Sequence, residues 1–209
     1  MEDLDHGVNV AVIGAGWAGM AAAVALAEAK TRVTVFEAAR HLGGRARSVD
    51  IEGMALDNGQ HILIGAYRET LRLMRAVGAD PERLLLRQPL TIEYPGKFSL
   101  RAPRLPAPLH LLAGLLAASG LTWSERVAAV RFMTAMRRNA YRIHADMPVA
   151  ELLARHDQSG ALSRYLWEPL CISALNTPPA AASAQIFLNL FRDALDGART
   201  NSDFLIPRA

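Results

Sequence analysis

The chain has 209 residues, 51% of them hydrophobic and 21% charged, with a mean hydropathy of +0.12. This is too apolar for disorder and long enough for one domain, or one domain with part of a second. A lone cysteine, Cys171, excludes an intrachain disulfide framework, and the six histidines never fall at H-x-x-x-H spacing, so no metal site is expected. The net charge is only +3, and the arginines form no run of the kind that binds nucleic acid, so no nucleic-acid partner is expected.

The first residues, Met1 to His6, are acidic and lead straight into a strand pattern, which argues against a secretory signal and for a cytosolic or cytosol-facing protein. Val8 to Ile13 is a short apolar run of buried-strand type. Gly14 to Gly19 is a glycine turn, and Met20 to Lys30 is alanine-rich with strong helix propensity. Arg32 to Phe36 is rich in β-branched residues and is followed by Glu37. Strand, glycine turn, helix and strand within about 30 residues predict the βαβ unit of a parallel sheet.

A second glycine turn, Gly43-Gly44, precedes extended pieces at Ser48 to Ile51 and Met54 to Asp57, separated by Gly53. Helical spacing returns over Tyr67 to Val77, and Leu90 to Leu100 predicts a hairpin around Pro95-Gly96. Three prolines between Ala102 and Pro108 exclude regular helix there. Leu105 to Leu121 is almost wholly apolar but too short and too broken by proline to cross a bilayer, which needs about 20 apolar residues.

Thr122-Trp123-Ser124-Glu125 has the spacing of a capping box and opens a helix expected to run to about Ile143. Its apolar stripe reads Val127, Val130, Met133, Met136, Ala140 and Ile143, with Arg131, Arg138 and Arg142 on another face. Pro148 suits the first turn of a helix over Val149 to His156. A break at Thr177-Pro178-Pro179 precedes a helix over Ala182 to Leu195, and the tail from Asp203 reads as stopping in mid-fold.

Gly14-Ala15-Gly16-Trp17-Ala18-Gly19 fits G-x-G-x-x-G after a strand and before a helix, with an acid, Glu37, near the expected distance. In this arrangement Gly14 permits the tight turn, Gly16 lets backbone approach a pyrophosphate, and Gly19 lets the helix pack on the strand. Glu37 would accept a hydrogen bond from a ribose hydroxyl. The second turn, Gly43-Gly44-Arg45, adds backbone and a guanidinium beside the phosphates, which suits a flavin dinucleotide better than a nicotinamide one.

These motifs, with Glu37-Ala38, Ser48 and the block Leu56-Asp57-Asn58-Gly59-Gln60-His61, resemble the FAD-dependent amine oxidase and phytoene desaturase superfamily. Leu166-Trp167-Glu168-Pro169-Leu170, Leu175-Asn176-Thr177-Pro178-Pro179, Ser183-Ala184 and Ser202 to Pro207 are similar to its squalene-associated desaturase branch, whose best-described member is the hydroxysqualene dehydroxylase of hopanoid biosynthesis. The resemblance spans about Val8 to Pro207. It implies an α/β fold: a Rossmann-like FAD-binding βαβ unit (residues 1–66) joined to a partial, mainly helical substrate domain (residues 67–209). It further implies FAD held by Gly14, Ala15, Gly16, Trp17, Ala18, Gly19, Glu37, Ala38, Gly43, Gly44, Arg45, Asn58, Gly59, Gln60 and His61.

The implied reaction is reductive dehydroxylation of a C30 isoprenoid. A carotenoid desaturase or amine oxidase on the same scaffold is the rival enzyme, and a non-catalytic FAD-binding fragment is the rival of another class. No catalytic residue is assigned. His61 is the one titratable group that the resemblance puts near the flavin ring, and hydrogen bonding to the local backbone accounts for it better than catalysis does. Trp17 covers the cofactor edge or packs on nearby loops; Cys171 reads as core; Asn176 lines a pocket or caps a turn. Members of the superfamily are longer, so the resemblance also implies a second chain or a C-terminal half that completes the flavin domain. Without that half, the chain is expected to be catalytically incompetent. Leu105 to Leu121, with the arginine face of the next helix, is expected to touch a membrane surface or else to be ordinary core.

Overall fold

The computed structural model describes residues 8–59, 61–195 and 197–208. The acidic N-terminus and Gln60, part of the expected cofactor set, lie outside the described residues. Two compact units interleave along the chain. One is Met1–Ile62 with Glu69–Leu84, and the other is Leu63–Arg68 with Leu85–Ala209. The expected boundary near residue 66 falls inside this interleaved stretch.

In the first unit, β1 (Asn9–Ile13) and β2 (Arg32–Phe36) pair in parallel, with Asn9 opposite Arg32 and Ile13 opposite Phe36. Helix α1 (Trp17–Glu28) makes the crossover, as the glycine turn and alanine run predict. Strands β3 (Ser48–Ile51) and β4 (Met54–Asp57) form an antiparallel hairpin. Its two turn residues, Glu52 and Gly53, have φ of +55° and +82°, the left-handed pair that a tight hairpin needs. Helices α2 (Arg68–Ala76) and α3 (Pro81–Leu84) follow. Parallel sheets are normally covered on both faces, yet Ile13 is 80% exposed and Phe36 is exposed as well.

In the second unit, β5 (Leu63–Ile64) and β6 (Leu85–Gln88) flank β9 (Phe204–Pro207), which is antiparallel to both. The tail from Asp203 is thus the central strand of a three-stranded sheet. Strands β7 (Thr91–Tyr94) and β8 (Phe98–Arg101) make the hairpin around Pro95-Gly96. The rest is helical: α4 (Leu109–Ala117), α5 (Trp123–Arg138), α6 (Val149–Arg155), α7 (Gly160–Leu162), α8 (Glu168–Leu175) and α9 (Ala184–Leu195). A π-turn over Ser163–Trp167 joins α7 to α8. Phe98, Phe132, Trp167, Phe187 and Leu188 sit at the centre of one core. The indole Nε1 of Trp167 is buried there and donates to Gln158 Oε1 at 2.9 Å, so the large ring costs no unpaired donor.

The capping box at α5 forms as expected: Glu125 N donates to Thr122 Oγ1 at 3.3 Å, and Thr122 N donates to Glu125 Oε2 at 2.8 Å. The helix then departs from expectation twice. Its buried stripe is Ala129, Phe132, Met133 and Met136, rotated from the expected Val127 and Val130 because the Phe132 ring takes the core position. It also ends at Arg138 and not near Ile143. Ala140 and Tyr141 adopt left-handed φ of +49° and +57°, which turns Tyr141 into the core. The turn is held by Tyr141 N to Met136 O at 2.7 Å and by Gln185 Nε2 to Tyr141 O at 2.9 Å.

Candidate cofactor site

The glycine turn closes β1 onto the start of α1. Gly14 has φ +95°, and its N–H donates to Phe36 O at 2.7 Å, tying the turn to the end of β2. A Cβ on Gly19 would lie 1.8 Å from the carbonyl oxygen of Gly14, so close helix–strand packing requires glycine there.

Gly16 differs from both. Its φ of −74° suits any residue, and a Cβ there would meet nothing within 4 Å. Neither backbone strain nor internal packing accounts for this glycine. Space in front of it for a close-approaching group does. The N-terminus of α1 has no side-chain cap and no acid in its first turn. Among the described residues its first amides therefore find no internal acceptor, the arrangement that binds anionic phosphate oxygens.

The second glycine turn sits on the first. Gly43 N donates to Ala15 O at 2.9 Å, and a Cβ on Gly44 would lie 3.2 Å from Gly16 Cα. Gly43 and Gly44 both have positive φ, +104° and +63°. Two motifs separated by some 25 residues thus form one backbone surface. Arg45 extends from it exposed.

Glu37 follows β2 and turns back to the same surface. Its carboxylate accepts from Ala15 N at 2.6 Å through Oε2 and from Ala39 N at 2.8 Å through Oε1. These backbone hydrogen bonds, Ala39 first and Ala15 next, hold the carboxyl below the ordinary carboxylate range. An ionised carboxylate can accept about four hydrogen bonds, so two amides leave capacity for ribose hydroxyls. Ala18, Trp17 and Ala38 are exposed around the turn, with Trp17 at its rim.

The Asn58–His61 block is placed by the β3–β4 hairpin. Asn58 N donates to Arg47 O at 3.2 Å, immediately after the second glycine turn. The His61 ring pairs through Nε2 with Asn58 Oδ1 at 3.0 Å, a local hydrogen bond, and Gly59 faces open space.

Other singled-out residues have structural duties. Cys171 is fully buried, which pushes its thiol pKa up and makes it a poor nucleophile. Asn176 is the left-handed cap of α8 at φ +48°. Ser183 Oγ accepts from Ile186 N at the start of α9, and Trp167 is core. The sequence reading missed the backbone amide of Ala39, which holds Glu37 as firmly as the turn does; an amide leaves no mark in residue identity. It also missed the ion pairs from buried Asp203 to Arg199 at 3.0 Å and to Arg87 at 3.5 Å, which pin the start of β9.

The family model for flavin containing amine oxidoreductase matches residues 17–201. A zeta-carotene desaturase of Zea mays is 35% identical over 162 residues, covering 75% of this chain and 26% of that protein. A hydroxysqualene dehydroxylase of Zymomonas mobilis is 26% identical over 193 residues, covering 88% of this chain and 43% of that protein. The chain therefore spans between a quarter and under half of these relatives. An oxidoreductase of Methanosarcina mazei superposes with a TM-score of 0.67 at 16% identity, over 96% of this chain and 46% of that one, a likeness of fold.

Proposed function

The chain belongs to the flavin containing amine oxidoreductase family, and from that premise we propose that it is the dinucleotide-binding and helical part of an FAD-dependent oxidoreductase acting on a long isoprenoid. The reading rests on one observation above all: the Gly43-Gly44 turn seated on Ala15 and Gly16, beside Glu37. The residues present fit FAD. The α1 N-terminus and both glycine turns would take the pyrophosphate, Glu37 the adenosine ribose, and the Asn58–Gly59 backbone the approach to the ring system.

Reductive dehydroxylation of hydroxysqualene to squalene, a step of hopanoid biosynthesis, is the preferred reaction. The segments Leu166–Leu170, Leu175–Pro179 and Ser202–Pro207, which resemble the squalene-associated branch, support it, as does the likeness to the dehydroxylase relative. Bound flavin, when reduced, supplies hydride. The allylic-type alcohol loses its hydroxyl more readily when a proton donor reaches the oxygen, and the protein's task is to position that oxygen in a water-poor channel. His61 is the proposed donor. Its Nε2–H donates to Asn58 Oδ1 and orients the ring, and the doubly protonated ring would carry on Nδ1 the proton given to the substrate hydroxyl. The second unit holds an apolar cavity of about 180 Å³ lined by Leu111, Leu112, Met133 and Leu195 among others. Cavities near that size accept a benzene-sized group, so this one suits one prenyl unit.

Carotenoid desaturation is the second reading, favoured by the higher identity to the zeta-carotene desaturase. The test is anaerobic incubation of the FAD-reconstituted protein with chemically reduced flavin and hydroxysqualene, and separately of the oxidised protein with zeta-carotene and a quinone. Each extract is read by mass spectrometry. Squalene formation supports the first reading and lycopene-type products the second. Bound FAD with no turnover, from this chain and from a chain extended to the relatives' length, leaves a non-catalytic flavin-binding protein. Turnover only by the extended or complemented chain supports the proposed need for a second half.

A further inference from the structure

His110 lies in the first turn of α4, and it is 1% exposed. Its Nε2 lies 3.1 Å from Ser202 Oγ, which belongs to the 3-10 turn Arg199–Ser202 that leads into β9. A serine has one hydroxyl proton, and Ser202 Oγ donates it to Arg199 O at 2.9 Å. Oγ is therefore the acceptor from His110, which fixes the neutral ring as the Nε2–H tautomer. Nδ1 then carries a lone pair, is buried, and has no hydrogen-bond partner among the described residues.

The turn that His110 holds is a junction of backbones. Gly65 N donates to Asp203 O and Ala66 N to Asn201 O, each at 2.9 Å, so the residues after β5 are bonded to it directly. A Cβ on Gly65 would lie 1.8 Å from Thr200 O, so the two backbones meet without room for a side chain. Immediately beyond, β9 pairs with both β5 and β6. The His110–Ser202 contact ties this junction to α4.

The surroundings oppose a second proton on the ring. Asp203, 2% exposed, pairs with Arg199 and, from β6, with Arg87, so two cations already share one anion. Of the other elements packed on α4, β8 brings Arg101, whose backbone oxygen lies near Gly114. Helix α5 brings Arg126, bonded to Leu116 O, and Arg137, which lines the cavity beside Leu111 together with Tyr141. Burial first, and then Arg199, hold the His110 pKa below the ordinary histidine value. Asp203 and the Pro106 carbonyl act the other way. The first is shared by two guanidiniums, and the second already accepts from His110 N at 3.2 Å.

We propose that His110 is an acid-sensitive latch between α4 and the β5–β9–β6 sheet. Neutral, it holds the Arg199–Ser202 turn on α4 through Ser202. A second proton would put a charged ring and an unpaired Nδ1–H in a site closed to solvent, where both are costly. The imidazolium regains hydration when the ring and Ser202 part. The proton is thus taken up by the open form, in which the turn leaves α4 and its bonds to Gly65 and Ala66 loosen. The open ring titrates at the ordinary value and the closed ring below it. Closure is therefore favoured above about pH 6.5 and weakens as pH falls. This opening is local, a movement of one turn and one strand ahead of global unfolding.

The experiment is amide hydrogen exchange of the whole chain by NMR, read as protection factors. At about pH 5.5 an open ring of ordinary pKa is roughly 90% protonated, so opening becomes about 10-fold more frequent than at about pH 7.5. Gly65 and Ala66 are expected to lose about that factor of protection, while the amides of α5 keep theirs. H110Q retains an N–H donor for Ser202 and takes up no proton, so its Gly65 and Ala66 protection should be the same at both pH values. H144Q, which alters an exposed histidine, should behave as the unaltered chain does. Independently of any variant, the ring 15N shifts of His110 at the higher pH should report Nε2–H with Nδ1 unprotonated. Four results overturn the proposal: unchanged protection of Gly65 and Ala66 in acid, the same loss in H110Q, an equal loss throughout α5, or an Nδ1–H tautomer. Exchange needs no flavin, so its failure leaves the flavin reading standing.

Discussion

Gly16 and Gly19 lie three residues apart in one turn, and the structure separates their purposes sharply enough to test. In Gly19→Ala the added methyl would sit 1.8 Å from the Gly14 carbonyl oxygen. Ordinary contact needs well over 3 Å, so α1 and the turn must move apart by more than an ångström. Overpacking of this kind costs about 1–3 kcal/mol, and here the clashing atom is backbone, which places the cost at the upper end. In Gly16→Val the new Cβ meets nothing within 4 Å and the φ of −74° is acceptable. Only the N-cap preference is lost, about 1 kcal/mol at most. Its side chain, however, fills the space the helix amides face. Losing two charge-assisted hydrogen bonds at about 1.5 kcal/mol each lowers affinity on the order of 100-fold. The assay is FAD titration by fluorescence quenching beside thermal melting of the apo-protein. Gly16→Val should melt near the unaltered chain and bind FAD at least 100-fold more weakly, whereas Gly19→Ala should lose stability before any ligand is added. A Gly16→Val protein that binds FAD normally, or a Gly19→Ala protein that melts normally, refutes the division of labour.

Glu37 is held below the ordinary carboxylate value of 4.5 by backbone amides, so its contribution to the turn is present above that value and is lost as pH falls through its lower folded pKa. An NMR titration of the Glu37 carboxyl carbon should show a midpoint under 4.5; a midpoint at or above it contradicts the amide contacts. His110 is buried, which is the main cause of its lowered pKa, with Arg199 adding to it. The unfolded chain therefore binds the extra proton, and stability falls with acidification from about pH 6.5 downward. His110→Gln should flatten that limb of the stability profile in urea titrations, and an unchanged slope would exonerate the histidine. Thr122→Ala removes one side of the α5 capping box and should cost about 1 kcal/mol, read as a drop in melting temperature that Thr122→Ser largely avoids. Gly120→Ala would put a methyl 1.9 Å from the Lys97 carbonyl at φ +77° and should destabilise more than the cap variant in the same melts.

The parts legible from the sequence were those governed by near neighbours. Glycines at fixed offsets, a Thr-x-x-Glu box and a Pro-Gly pair each dictate backbone within a few residues, and β1, β2, the β7–β8 hairpin and the start of α5 fall where those signals put them, while α1 begins at Trp17, three residues before the expected Met20. What escaped was set at long range. β6 and β9 pair across more than a hundred residues, and nothing in Leu85 to Gln88 announces Phe204 as a partner. The rotation of the α5 stripe depends on which core position admits the Phe132 ring, a choice made by the π-turn and α9 through Trp167 and Phe191 and not by the period of α5 itself. The end of α5 at Arg138 follows from Gln185, some forty residues on, which holds the Tyr141 carbonyl and the Ile143 amide. The same contrast runs through the site. Residue types located the two glycine turns, but only coordinates distinguish a glycine kept for packing, Gly19, from one kept for a visitor, Gly16. That distinction turns a motif into a physical argument: the fold explains Gly14 and Gly19 by itself, and Gly16 is accounted for when something outside the chain comes within the reach of a methyl group.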